Sequence, residues 1–170
     1  YSSSADVPWY KNRESIYENF IEEGVTSISE NAFNSCLQVT SVSLPETLTS
    51  IGPKAFAYCR KLESISLPDG LQSLGSHAFY DCPKLTGSIV IPEGITEIPS
   101  YLFSFCHRLT SVTLPDGILT IGESAFDECQ TLSQINIPDT VTRIDSYAFY
   151  GCAFSSITIP ANVTQIGDST

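Results

Sequence analysis

The 170-residue chain has no methionine, a single tryptophan, and only eight lysines and arginines against nineteen aspartates and glutamates. The resulting net charge of −11 repels phosphate backbones, which argues against nucleic acid as a partner. It equally disfavours docking on anionic lipid. No apolar run approaches the roughly 20 residues of a membrane span, so no membrane insertion is expected. Around Tyr1 there is no basic region followed by an apolar one, hence no visible signal peptide. The chain opens YSSSADVPWY, without Met, and reads as an interior start. Charged residues are only 16% of the total while serine and threonine are abundant, a mix commoner in exported proteins than in cytosolic enzymes.

What the chain does have is a period. Cys36, Cys59, Cys82, Cys106, Cys129 and Cys152 fall 23, 23, 24, 23 and 23 residues apart. Phe33, Phe56, Phe79, Phe103, Phe126 and Phe149 keep these intervals, and Pro45, Pro68, Pro92, Pro115, Pro138 and Pro160 nearly do. A fixed period in the twenties marks a solenoid. The unit is C-x-x-L-x-S-I-x-L-P-[DE]-x-[LIV]-x-x-I-G-x-x-A-F-x-x-C. It slips twice: Gly87 is an added residue, and the segment after Cys152 is one residue short. An insertion is tolerated where it falls at a bulge.

The segment L-x-S-I-x-L alternates, as Ile65 with Leu67 and Ile135 with Ile137 illustrate, and predicts a short strand with one buried face. Proline and an acid then make a turn. Leu48 to Gly52 and its equivalents predict a second short strand. Ala, Phe and Cys, three to four apart, predict a single helical or 3₁₀ turn facing the interior. No unit buries its apolar face alone, so the units stack in a parallel ladder with neighbours about 4.8 Å apart. Residues 1–20 break the period and carry Trp9, Tyr10, Ile16, Tyr17 and Phe20. They are expected to cap the solenoid, with a short helix from Glu14 to Phe20. The solenoid is expected over 21–170, stopping inside a seventh repeat, TQIGDST, that continues in the natural protein.

The consensus L-x-S-I-x-L-P followed by I-G-x-x-A-F-x-x-C resembles the BspA-like leucine-rich-repeat family of bacterial surface proteins, with related repeats in some parasitic protists. The resemblance spans Ile21 to Asp168 in six tandem matches, and PWY is similar to that family's usual lead-in. It implies a right-handed leucine-rich-repeat solenoid, export, and display at the cell surface. It also implies adhesion, since some members bind matrix or plasma proteins such as fibronectin and fibrinogen. The family has no catalytic residues or ligand-binding motif to transfer, and fold does not fix a ligand.

One stretch, Leu67 to Leu85, sets His77, Asp81 and Cys82 within six residues. A nucleophile needs one special cysteine with a base beside it. Cys82 instead has an equivalent in every repeat, whereas His77 matches Asn31, Lys54, Tyr101, Ser124 and Tyr147. The cysteines therefore read as small buried core residues. His107 occupies a different repeat position, so no zinc-ligand spacing arises. Stacked equivalents point the same way rather than at one another, which predicts six reduced, unreactive thiols.

Three exposed columns are candidates for binding. The strand columns read Ser41, Ser64, Ser88, Ser111, Gln134, Ser156 and Ser43, Ser66, Val90, Thr113, Asn136, Thr158. If these strands line the concave side, that side is small, polar and nearly uncharged. It suits either solubility and hydroxyl pairing or a shallow surface for a peptide or glycan. An acidic column, Glu46, Asp69, Glu93, Asp116 and Asp139, suits turn chemistry or loose Ca²⁺ association. A basic column, Lys61, Lys84 and Arg108, suits a solvated rim or steering of an acidic partner. The aromatics Tyr58, Tyr80, Tyr101, Phe105, Tyr147 and Tyr150 either cover the convex side or form a contact patch.

The expected protein is thus a cofactor-free, non-enzymatic module, secreted or held at the cell surface and monomeric as a fragment. It binds an extracellular or host protein, such as a matrix or plasma protein, or a glycan. Candidate contacts are Ser64, Ser66, Ser88, Ser111, Thr113, Gln134, Asn136, Lys61, Lys84, Arg108 and Tyr101. The alternative is a structural spacer that projects another domain.

Overall fold

A computed structural model describes residues 18–170. Each coil carries two short strands. The first ladder holds β1 (Glu18–Phe20), β3 (Ser41–Ser43) and β5 (Ser64–Ile65), then separately β7 (Gly87–Val90), β9 (Leu109–Thr113) and β11 (Gln134–Asn136). The second holds β2 (Ser27–Ile28), β4 (Ser50–Ile51) and β6 (Ser73–Leu74), then β8 (Glu97–Ile98), β10 (Thr120–Ile121), β12 (Arg143–Ile144) and β13 (Gln165–Ile166). All pairings are parallel, and most link residues 23 apart, as Ser41↔Ser64 and Ile121↔Ile144 do. We number coils one to six by the cysteine that ends them, Cys36 through Cys152.

Where a helix was expected to end, residues 18–20 are a strand in register with Ser41–Ser43. The rest of the expected cap, residues 1–17, lies outside the described residues.

The segment before each cysteine forms single turns of the 3₁₀ kind, as Ala55 on Gly52 and Cys59 on Phe56 show, but they do not join into a helix. It is a run of overlapping turns whose alternate amides leave the local chain and bond the next coil. In coil three, His77, Phe79 and Asp81 donate to Ser100, Leu102 and Ser104 at 3.1, 3.0 and 2.9 Å. The amides between them close local turns, as Tyr80 does on His77 at 3.1 Å. This geometry requires two left-handed residues per coil, His77 (φ 60°) and Asp81 (φ 51°) here, Lys54 and Tyr58 one coil earlier. Three to four apart, Ala, Phe and Cys still point inward. The phenylalanines stack at 5.2 to 5.9 Å between centroids, with planes within 16° of parallel. Each cysteine from Cys59 onward donates its thiol to the carbonyl of the preceding coil's phenylalanine, Cys82 to Phe56 at 3.3 Å and Cys106 to Phe79 at 3.2 Å. A small side chain with a weak donor fits there better than alanine, which would leave that contact unmade.

Threonine has a comparable task at the corners. The hydroxyl of Thr131 donates to the carbonyls of His107 and Leu109 one coil back, and that of Thr110 to Gly87 at 2.9 Å. Part of the hydroxyl richness is therefore structural.

Between coils three and four both strand ladders stop, for two reasons legible residue by residue. Gly87, the inserted residue, sits at φ 87° at the start of β7, directly after Thr86, whose amide still bonds Glu63 one coil back at 3.1 Å; beyond it β7 pairs onward with β9 and not back with β5. In the second ladder, Gly52, Gly75, Gly122, Asp145 and Gly167 donate one coil back, but Pro99 stands at that position and has no N–H. The column in which Thr49, Gln72, Leu119, Thr142 and Thr164 donate backward skips Thr96. The turn-face bonds and the Phe79–Phe103 stack continue across this seam. At the far end, the shortened segment after Cys152 forms no strand, so the first ladder ends at β11.

Three predictions follow from this backbone. Lys54 is exposed and held left-handed at φ 54°, so Lys54→Gly should stabilise the chain by up to about 1 kcal/mol, read as a higher urea midpoint; a lower midpoint contradicts the strain argument. Hydrogen exchange should find the Thr96 amide far less protected than those of Gln72 and Leu119; equal protection would mean the seam is closed in solution. Burial pushes the Cys82 and Cys152 thiols up to about 12 and raises those of Cys59, Cys106 and Cys129. A folded pKa above the unfolded value of about 8.5 adds stability below that value and loses it as pH rises. The urea midpoint should therefore fall between pH 9 and 11, and thiol alkylation at pH 8 should require denaturant.

Candidate functional site

The turn face carries three outward positions per coil. Down the solenoid they read Asn31, Lys54, His77, Tyr101, Ser124, Tyr147; Asn34, Ala57, Tyr80, Ser104, Asp127, Tyr150; and Ser35, Tyr58, Asp81, Phe105, Glu128, Gly151. The aromatics that look scattered in sequence meet here. His77 stacks on Tyr101 at 4.5 Å and 17° and approaches Tyr80 at 5.4 Å. Tyr58 and Phe105 stand nearly perpendicular to Tyr80, at 5.3 and 5.7 Å, and Phe105 meets His107 edge-on at 5.9 Å. The strip is half-exposed, while Ala57 and Ser104 lie fully buried beneath it.

Carboxylates interleave with these rings. Asp81 lies between Tyr58 and Phe105 in its column, and the guanidinium of Arg60 holds it through Nε at 2.9 Å and Nη2 at 2.6 Å. Tyr101 donates its hydroxyl to Glu123 at 2.9 Å, and this bond, with burial, raises its pKa. Burial raises Tyr80, aided by Tyr58, Asp81 and Asp127. Burial also raises the Asp127 carboxyl, against a hydrogen bond from Ser104 at 3.4 Å. Desolvation, aided by Lys54, lowers His77, whose Nδ1 is buried and finds no hydrogen-bond partner among the described residues.

The motif that first draws the eye therefore comes apart. Cys82 points into the core and bonds a carbonyl, while His77 lies outside against Tyr101. The chain between them keeps nucleophile and base on opposite sides of the wall.

The sequence-derived contacts fall on separate surfaces. Ser88, Ser111 and Gln134 form one row on the strand face, exposed except at the half-buried Ser111, and Thr113 with Asn136 form another. Ser64 and Ser66 sit beyond the seam, on the earlier coil. Among the described residues, none of these serines bonds its column neighbour through its hydroxyl. The nearest hollow, about 410 Å³, lies over Ser41, Ser43, Ser64, Ser66 and Ile65. Lys61, Lys84 and Arg108 are exposed on the rim; Lys61 bonds Gln38, and neither of the other two forms an ion pair among the described residues. Tyr101 belongs to the turn face rather than with the serines. Sequence reasoning missed Asp127 and Glu128. The signal was available in the residue after each cysteine, Arg60, Pro83, His107 and Gln130, set against the column it reaches.

No helix among the described residues is long and apolar enough to cross a membrane. The BspA type leucine rich repeat region matches the chain in six copies, over residues 9–118 and 96–170. A leucine rich cell surface protein from Faecalibacterium prausnitzii A2-165 is 35% identical, with a TM-score of 0.79, over 91% of this chain and 44% of that one. A leucine-rich repeat protein from Bacteroides ovatus ATCC 8483 is 29% identical, with a TM-score of 0.80, over 91% and 46%. The T. pallidum leucine rich repeat protein is 33% identical, with a TM-score of 0.75, over 89% and 69%. The chain spans less than half the length of the first two. No protein of curated function matches it. With six matched copies of the repeat, two parallel ladders and a stacked phenylalanine core, this chain belongs to the BspA type leucine-rich-repeat family.

Proposed function

We propose that this chain is a non-catalytic module that binds an extracellular or host protein at a cell surface, in the manner of an adhesin. The observation that carries the reading is the strip formed by Tyr58, His77, Tyr80, Tyr101 and Phe105, half-exposed and flanked by carboxylates on a rigid repeat scaffold. Rings of this kind supply contact area at low entropic cost and are enriched where proteins meet. The cell-surface name of the Faecalibacterium relative supports an extracellular setting. The small, nearly uncharged side chains of the strand face favour a second reading, a spacer that projects another domain, because they offer no large anchor.

Immobilised protein should bind one member of a panel of fibronectin, fibrinogen, mucin and glycans saturably at physiological salt. The double substitution Tyr80→Ser, Phe105→Ser should weaken that binding at least tenfold, while Ser88→Ala, Ser111→Ala leaves it unchanged. Charge reversal at Lys61, Lys84 and Arg108 tests the rim in the same assay. No binding at tens of micromolar leaves the spacer reading ahead. Loss confined to the serine or lysine variants moves the site back to the strand face.

A further inference from the structure

The chain sets a carboxylate beside an aromatic column neighbour twice, at Asp81 with Tyr58 and at Glu128 with Phe105, once with a cation and once with a second acid, Asp127, in the place of Tyr80. In the first copy Arg60, directly after Cys59, seats its guanidinium on Asp81 at the end of the same coil, and Asp81 stands between Tyr58 and Phe105 in its column. Two coils later the residue after Cys106 is His107, and Glu128 stands where Asp81 stood. His107 spends its Nδ1 on the backbone carbonyl of Glu128, at 2.9 Å, and leaves the carboxylate alone. The Glu128 carboxylate accepts the side-chain amide of Gln130 at 2.9 Å, and Asp127 next to it accepts the Ser104 hydroxyl at 3.4 Å. Among the described residues no lysine or arginine pairs with Asp127, Glu128 or Glu123. Phe105 walls this second copy, and the Tyr101–Glu123 hydrogen bond lies beside it.

We propose that Asp127 and Glu128, with Phe105 and Tyr101, are the docking site for an arginine side chain presented by the partner protein. This rests on the reading of the chain as a protein-binding module. A guanidinium suits it because its N–H groups converge on a carboxylate oxygen, as Nε and Nη2 of Arg60 do on Oδ2 of Asp81, and because a guanidinium face also accepts an aromatic neighbour. A half-buried carboxylate pair without a cation is electrostatically incomplete, and a partner's arginine completes it at a site where water competes less. The partner chemistry is thus a basic, extended segment, consistent with the chain's net charge of −11.

The test uses the 170-residue chain and a fluorescein-labelled (Arg-Gly)₄ peptide at physiological salt, with the citrulline peptide as the neutral control. Asp127→Asn, Glu128→Gln should weaken arginine-peptide binding at least tenfold. Asp69→Asn, Asp116→Asn removes the same charge from the exposed acidic column and should leave it unchanged. His107→Arg should refill the vacant copy from within and also weaken the peptide. Circular dichroism confirms that each variant is folded. Equal loss in both acid pairs reduces the effect to net charge and overturns the site, as do retained binding in Asp127→Asn, Glu128→Gln or no binding by the unaltered chain. A panel ligand that still binds Asp127→Asn, Glu128→Gln would sink this site while leaving the surface-binding reading intact. Arginine-peptide binding with no panel ligand would do the reverse.

Discussion

The amides of His77, Phe79 and Asp81 each donate to a carbonyl one coil further on, and the same three bonds recur, with small variations, at successive junctions. The rest of the structure depends on them. They demand that every second residue on that side turn its N–H along the solenoid axis, which is possible only if two residues per coil adopt a left-handed backbone. Tyrosine, phenylalanine, lysine and glutamate all occupy such positions here, at roughly 1 kcal/mol or more each. That strain is tolerable because the alternative, three buried amides without partners per coil, costs more. The 23-residue period is the chain length that returns each of these groups to its partner, and so period, core and surface columns are one constraint expressed three ways.

This explains which parts of the fold were legible in the sequence. The intervals of Cys36 to Cys152 and Phe33 to Phe149 announced the solenoid, and Ile65 with Leu67 announced its strands, because inward-facing side chains are chosen by size and polarity. The turn face was hidden. Its backbone places no demand on residue type beyond tolerance of strain, so Asn31, Lys54, His77 and Tyr101 share a position while sharing no chemistry. Their offsets looked irregular for that reason, and the spacing of Ala, Phe and Cys marked the local turns but not the alternate amides that leave them for the next coil. Pro99 was legible in principle. A proline in a glycine column that otherwise donates backward states directly that one bond is missing.

The seam that Pro99 and Gly87 open also shapes the candidate surface. Coils three and four contribute the rings that face each other most closely, His77 with Tyr101 and Tyr80 with Phe105. These are the two coils whose strand ladders do not join. With both ladders interrupted, this junction keeps the turn-face bonds, the Thr86 amide on Glu63 at 3.1 Å, the Cys106 thiol on Phe79, the Phe79–Phe103 stack and the rings themselves. The aromatic strip thus adds contacts at a junction that has lost part of its strand pairing. A surface that stabilises its own scaffold is already ordered before a partner arrives, and pre-ordered side chains lose less entropy on binding.

In a repeat protein each position supplies its own control. The strand face varies between coils mainly among small polar residues, so it sets no coil apart from the next. The turn face departs at every coil, and departures are where a sequence freed from structural demand records something else. Arg60 on Asp81 shows what balanced chemistry looks like on this face. Where His107 replaces that arginine, the carboxylate remains as Glu128, a second one is added at Asp127, and no arginine or lysine pairs with either among the described residues. A half-buried acid pair kept without a base disfavours the isolated state slightly, and the deficit lies beside rings that a guanidinium would cover. That asymmetry between two copies of one arrangement, rather than any single residue, directs attention to coils four and five.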